Sequence, residues 1–176
     1  MQTFKIALTL ILALIFQMLL PKHFRIFQFV DLPLLVTIYL SLMRSPLLGM
    51  GAGAVSGIGS DIISGSLVLG VNGFSKTLIG YVVSKASVNF PLENPLTRLG
   101  IVALASVCNT IFVIGLNLML DQPIQNVGDW GDFLKALGLQ TIGDSLASVV
   151  LFMILNKVFP ETGEAKRMAI KKRHYG

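Results

Sequence analysis

Residues 57–70 read Gly57-Ile-Gly-Ser-Asp61-Ile-Ile-Ser64-Gly65-Ser-Leu-Val-Leu-Gly70. They close a glycine-rich apolar segment with a carboxylate and a Ser-Gly turn, and the apolar segment that follows carries Asn72 and Lys76. Ionisable side chains are costly in lipid, so these groups should face protein or water rather than acyl chains. The sequence therefore predicts a membrane-embedded helical hairpin. The turn of this hairpin contains Ser64, Gly65 and Gly70.

The composition of the whole chain agrees with a membrane protein. Of its 176 residues, 53% are hydrophobic and 13% are charged, whereas a soluble domain carries about 25% charged residues. The apolar residues come in blocks of about 15 to 23, and about 20 helical residues cross a hydrocarbon core of about 30 Å. We therefore predict an all-α integral membrane bundle that forms a single domain over residues 1–176.

Six transmembrane helices account for the apolar blocks. Prolines interrupt helices, and those at positions 21, 46, 91 and 95 fall between the blocks. The predicted spans cover residues 4–20, 31–43, 47–63, 67–88, 97–119 and 133–158. An even number of spans places both termini on one side of the membrane.

The basic residues are divided unequally between the two sides of this topology. The side with the termini receives ten of them: Lys5, Arg44, Lys85, Arg98, Lys157, Lys166, Arg167, Lys171, Lys172 and Arg173. The other side receives Lys22, Arg25 and Lys135, while Lys76 lies within a span. Cytoplasmic loops carry an excess of Lys and Arg, so both termini are predicted to be cytoplasmic. The basic tail over residues 160–176 is expected to contact anionic lipid rather than nucleic acid.

Three glycines, Gly49, Gly53 and Gly57, recur every four residues and therefore share one face of the third span. Small residues at this spacing let two helix backbones approach closely in lipid. The pattern predicts either tight packing within the chain or a contact face for another subunit, including a second copy of the chain. Spacing alone is compatible with both.

Four polar side chains within the predicted spans are the candidates for a buried network or pocket: Asp61, Asn72, Lys76 and Asp144. Asn72 and Lys76 are four residues apart and share a helix face, and the long Lys76 side chain can extend toward Asp61. This arrangement predicts either an Asp61–Lys76 ion pair or hydrogen-bond network that fixes the hairpin, or a polar cavity open to the outer face. Asp144 lies near mid-span, where a carboxylate needs a partner such as Lys76 or a cavity.

Residue patterns typical of enzymes are absent from the sequence. The chain has no nucleophile elbow, phosphate-binding loop or paired-acid site. Its single cysteine and two histidines lack the spacing of metal ligands. We therefore predict a non-enzymatic protein with no cofactor and no bound metal. An ion-coupled transporter that uses Asp61, Lys76 and Asp144 is a further alternative, although the sequence shows no internal repeat typical of many transporters.

Part of the chain resembles the rod shape-determining protein MreD family. The resemblance rests on Asp31-Leu-Pro-Leu-Leu-Val-Thr-Ile-Tyr39, on Gly57-x-x-x-Asp61-x-x-Ser64-Gly65-x-x-x-x-Gly70 and on Gly80-Tyr81. In that family a proline-containing second span precedes a glycine-rich third span, an Asp-x-x-Ser-Gly turn and a fourth span ending near Gly-Tyr. The match covers residues 30–85, and the length, the six spans and the basic tail extend it over the chain.

The resemblance implies a scaffold subunit in the bacterial inner membrane that serves the cell-elongation complex, which synthesises peptidoglycan in rod-shaped cells. Its expected direct partner is MreC, whose single span and periplasmic domain connect the MreB filament with the RodA glycosyltransferase and its penicillin-binding partner. MreB, RodA and the penicillin-binding protein are expected to be indirect partners. The family is also similar in fold to the S components of energy-coupling-factor transporters. A vitamin-binding S subunit is therefore the alternative function.

Overall fold

The computed structural model describes residues 2–23, 25–43, 46–66, 68–89, 95–120 and 130–159. Within these residues the chain forms six α-helices and one short 3-10 helix, and no strand is found among them. The α-helices are α1 (Gln2–His23), α2 (Leu32–Met43), α3 (Pro46–Ser64), α4 (Val71–Asn89), α5 (Pro95–Met119) and α6 (Trp130–Val158), and the 3-10 helix is Arg25–Phe29. The predicted all-α bundle is confirmed. The predicted basic tail lies outside the described residues.

The largest differences from the predicted spans are three or four residues, at the end of α1, the start of α4 and the start of α6. α1 continues through Pro21 to His23, so that the proline lies in the last turn of the helix, where it removes one backbone hydrogen bond. α4 begins at Val71 rather than near residue 67. The turn before it is longer than predicted, since Gly65 and Gly70 both adopt positive φ, 64° and 107°, which glycine does at little cost.

The shortest α-helix, α2, lies at the centre of the bundle. The other five α-helices all pack against it, and each side chain from Leu34 to Leu42 is at most 2% exposed. Its 12 residues extend only about 18 Å, whereas the hydrocarbon core is about 30 Å thick. A helix enclosed by protein does not have to match that thickness, because its neighbours contact the lipid in its place.

Four helices among the described residues are long and apolar enough to cross a membrane. They are Thr3–His23, Pro46–Ser64, Leu96–Met119 and Phe133–Val158. α4 is less apolar than these four helices, and several of its polar residues face inwards: Ser75, Lys76 and Ser84 are buried, whereas Phe74 and Val82 are exposed. The surface that α4 presents to its surroundings is therefore largely apolar, with Lys85 exposed near its end.

Glycines bring α3 and α4 into backbone contact. A Cβ added to Gly53 would overlap the carbonyl oxygen of Lys76, and one added to Gly57 would overlap that of Asn72. Gly49 is buried against the same helix. The glycine face of α3 therefore packs within the chain. Because α4 covers this face, it is not free to contact another subunit.

Candidate functional site

Asp61 is buried near the end of α3, and its carboxylate caps the start of α4. The backbone N–H groups of Gly70 and Asn72 donate to its two oxygens at 2.8 and 3.3 Å, and the Asn72 side-chain amide donates at 2.8 Å. Gly73 N–H adds a longer bond of 3.4 Å. A carboxylate is favoured here because the first N–H groups of a helix lack partners and its dipole is positive at this end. Asp61 therefore fixes the entry into α4.

Lys76 pairs with Asp31 rather than with the predicted partner Asp61. The Lys76 side chain is 1% exposed, and its Nζ lies 2.9 Å from Oδ1 and 2.8 Å from Oδ2 of Asp31. Nζ also donates to the hydroxyl of Ser60 on α3 at 2.9 Å. The physical reason is that both oxygens of Asp61 already accept bonds from the α4 terminus. Asp31 instead stands at the start of the central helix, next to α4.

Asp144 of α6 joins this cluster through a backbone group. Its Oδ1 accepts the N–H of Asp31 at 2.8 Å, and its Oδ2 accepts the hydroxyl of Ser106 on α5 at 2.6 Å. Among the described residues Lys76 forms its ion pair with Asp31. The pair between Asp144 and Lys76, which the sequence suggested, is not formed. Asp144 is bonded between α2 and α5 instead.

One polar network thus connects five helices, from α2 to α6. In the described part of the chain, no buried side-chain nitrogen or oxygen lacks a hydrogen-bond partner. Buried polar groups that are fully satisfied specify the positions of the elements that carry them. The same part of the chain contains no group of three or more His, Cys, Asp and Glu side chains arranged to hold a metal ion. The arrangement is suited to fixing helices.

A polar cavity of about 460 Å³ lies beside the Lys76–Asp31 pair. It is at the end of the bundle where α1 and α3 end and α4 begins. From α3 and α4 it is lined by Ser60, Ile63, Ser64, Asn72 and Lys76, and from α1 by Gln17, Met18, Pro21 and Lys22. Of the predicted site residues, Asn72 and Lys76 line this cavity, whereas Asp61 is not among its lining residues. That the cavity opens to the outer face stays a prediction.

A second cavity, of about 420 Å³, is an apolar groove between α4 and α5, called here the α4–α5 groove. Small residues, Ala86, Gly100, Ala105 and Cys108, form part of its lining. Cys108 is exposed, and a Cβ on Gly100 would meet no atom within 4 Å. The groove is therefore an accessible apolar surface in which small residues lie beside the larger exposed side chains of Val82, Leu104 and Phe112.

The sequence reasoning did not identify Asp31 as a site residue. A signal for a capping role was present, because Asp favours the N-cap of a helix and proline favours its first turn. Asp31 does accept the N–H of Leu34 at 3.0 Å. Its pairing with Lys76, 45 residues away, depends on how α2 packs against α4, which no local pattern encodes.

Comparison with known proteins gives a family and no individual relative. No curated protein and no solved structure matches the chain significantly. The family model described as rod shape-determining protein MreD matches residues 1–160, a range that contains all six described α-helices. The matched range also holds Asp31, Asp61, Lys76 and Asp144. The chain therefore belongs to the MreD family of membrane proteins, whose role is in rod shape determination.

Proposed function

We propose that this protein is a non-enzymatic scaffold in the bacterial inner membrane that binds MreC for the cell-elongation complex. The observation that carries the proposal is the family match over residues 1–160. The bundle supports it, because a saturated polar network and a glycine-packed helix pair make a rigid platform. RodA, its penicillin-binding partner and MreB are reached through MreC.

The α4–α5 groove is the surface that best suits the single span of MreC. Helices associate in lipid mainly through close packing and interhelical hydrogen bonds, and small residues permit that approach. Gly100 and Cys108 supply such positions on α5, and Thr97 adds a hydroxyl to the same lining. The glycine face of α3 has a similar composition, but α4 already occupies it.

Depletion in a rod-shaped bacterium tests the proposed function as a whole. Cells that lose the protein are expected to become round within a few generations, because wall synthesis along the cell cylinder loses its membrane scaffold. The measurement is cell width and length by microscopy, with a plasmid copy of the gene restoring rods. Cells that remain rods, in a strain with no second copy of the gene, would refute the role.

The contact with MreC can be tested through the native cysteine. Cys108 lies in the α4–α5 groove and is the single cysteine of the chain, so disulfide crosslinking to cysteines placed along the MreC span reports on this surface directly. We expect the positions on the MreC span that crosslink to Cys108 to recur every three or four residues, because one face of that helix would contact the groove. The matched control is Cys108→Ala with Leu146→Cys, which places the thiol on α6, where Leu146 is 68% exposed.

A variant that fills the groove complements the crosslinking. Gly100→Leu adds a side chain where the groove is open, and it should reduce co-purification of MreC by about tenfold. Gly51→Leu is the control, since Gly51 is also a helical glycine with open space at its Cβ position but lies on α3. Crosslinks that form equally from position 146, or MreC binding that survives Gly100→Leu, would place the contact elsewhere on the bundle.

A further inference from the structure

The polar cavity combines two kinds of surface. One part of its lining is polar and includes Ser60, Asn72 and Lys76. Another part includes Met18 and Ile63, which are 50% and 37% exposed large hydrophobic side chains. In a membrane protein such exposed apolar side chains contact lipid. The cavity therefore borders both the interior of the bundle and the surrounding lipid, as a site for an amphiphile requires.

The cavity also lies at the depth of a lipid headgroup. Lys22 and His23 form the basic last turn of α1, and basic residues at helix ends reach the membrane–water interface. Pro21 and Lys22 line the cavity from this turn, and Ser64 lines it from the last residue of α3. A molecule in the cavity would thus have its polar part at the interface and its apolar part beside α1 and α3.

The charges of the lining favour an anion. The lining contains two basic residues, Lys22 and Lys76, and one acidic residue, Asp31. Asp31 and Lys76 neutralise one another at 2.8 Å, and among the described residues no ion pair involves Lys22. One positive charge therefore remains in the lining, together with the side-chain amide of Asn72, of which one hydrogen is bonded to Asp61. These are donors that a phosphate oxygen accepts.

We propose that the polar cavity binds the phosphate headgroup of a membrane lipid, with Lys22 as the charged contact and Met18 beside the start of the acyl chains. Its volume of about 460 Å³ is in the usual range of ligand sites, about 300–1,000 Å³, and accommodates a headgroup rather than a whole lipid. The site is separate from the α4–α5 groove, so it stands independently of the proposed contact with MreC.

Native mass spectrometry of the intact protein in nanodiscs tests this site. The probes are dioleoylphosphatidylglycerol and dioleoylglycerol, which share acyl chains and differ in the phosphate. We expect retention of the phosphate-bearing lipid alone. Lys22→Gln should lower this retention by about fivefold, the effect of one basic side chain at a membrane surface. Met18→Trp should abolish it by filling the cavity from an exposed position.

Lys5→Gln is the matched control, because Lys5 is an exposed lysine of α1 near its other end and should leave retention unchanged. An equal loss in Lys5→Gln, undiminished retention in Met18→Trp, or equal retention of both lipids would overturn the proposal. Displacement of the bound lipid by glycerol 3-phosphate, a soluble phosphate ester, would also overturn it. That result would assign the site to a free metabolite.

Discussion

The Asp31–Lys76 pair holds a buried ammonium against a carboxylate that is largely shielded from water at the edge of the polar cavity. Lys76 is 1% exposed and the Asp31 side chain 17%. Removing charges from water is unfavourable, and the pair repays this cost only through short contacts with both partners present. A variant that keeps only one of the two charges should therefore be less stable than a variant that lacks both.

A second substitution, at Asp31, should therefore compensate for the loss of Lys76. Lys76→Met should lower the free energy of unfolding by about 3 kcal/mol, because it leaves the partly buried Asp31 carboxylate without its counter-ion. Adding Asp31→Asn should recover about 1–3 kcal/mol of that loss, since Asn removes the charge and still caps α2. Unfolding by steric trapping in bicelles measures both values.

Asp61 provides the control for this cycle. Asp61→Asn should weaken the α3–α4 turn by removing charge from the helix cap, but it should not rescue Lys76→Met. The two losses should add within about 0.5 kcal/mol. Recovery with Asp61→Asn, and none with Asp31→Asn, would mean that Lys76 pairs with Asp61 after all.

At the residue scale the sequence revealed which groups are unusual but not which groups meet. Asp61, Lys76 and Asp144 stand out because each is an ionisable group in an apolar segment. Their partners follow from tertiary structure: Asp31 lies 45 residues from Lys76, and Ser106 lies 38 residues from Asp144. Serines and N-terminal caps are common in helices, so nothing local marks these two as partners.

At the scale of elements, the α3–α4 hairpin depends on glycines whose Cβ positions are occupied by the neighbouring backbone. A backbone cannot move aside as the end of a flexible side chain can. The same helix carries Gly51, which faces open space. α3 therefore contains its own comparison between a glycine required for packing and one that is not.

We predict opposite effects of alanine at these positions. Gly53→Ala and Gly57→Ala should each lower the free energy of unfolding by about 1–3 kcal/mol, because α3 and α4 must separate. Gly51→Ala should be neutral or raise it by up to about 1 kcal/mol, as alanine favours the helix. Thermal unfolding in detergent ranks the stabilities of the three variants. A destabilised Gly51→Ala with unaffected Gly53→Ala would contradict this packing.

The helices themselves were predictable from apolar block length and from proline breaks, and the boundaries of α3, α5 and α6 lie within three residues of the predicted spans. The start of α4 was not predictable in this way. Residues 67–69 are apolar and extend the pattern of the span, but Asp61 takes its hydrogen bonds from Gly70 onward and so sets the first turn of α4. A side-chain cap overrode the hydropathy pattern.

At the scale of the whole molecule, the unequal distribution of basic residues leads to a test of topology. With six spans, reporter fusions at residue 176 and before residue 2 should both act in the cytoplasm, and an insertion at Ser66 should act outside it. The measurements are the fluorescence of a fused fluorescent protein, which reports a cytoplasmic position, and the activity of a fused alkaline phosphatase, which reports a position outside the cytoplasm. Termini in different compartments would require an odd number of spans and would invalidate the positive-inside argument.

The sequence predicted the membrane class and the number of helices, but not their arrangement. Similarity to the S components of energy-coupling-factor transporters stays a prediction, since no solved structure matches the chain. The central position of α2 could not be read from its composition. A helix with a continuous apolar sequence is equally compatible with lipid and with a protein interior, and only packing distinguishes the two.

The enclosure of α2 has a consequence for biogenesis. During translation this 12-residue helix is synthesised before α3, α4, α5 and α6. It therefore leaves the ribosome before most of the helices that later surround it exist. Since it is too short to bridge the bilayer core, it gains little from partitioning into the membrane by itself. The insertion machinery is therefore expected to retain α2 until α3 and α4 arrive, and to release the three as one assembled unit.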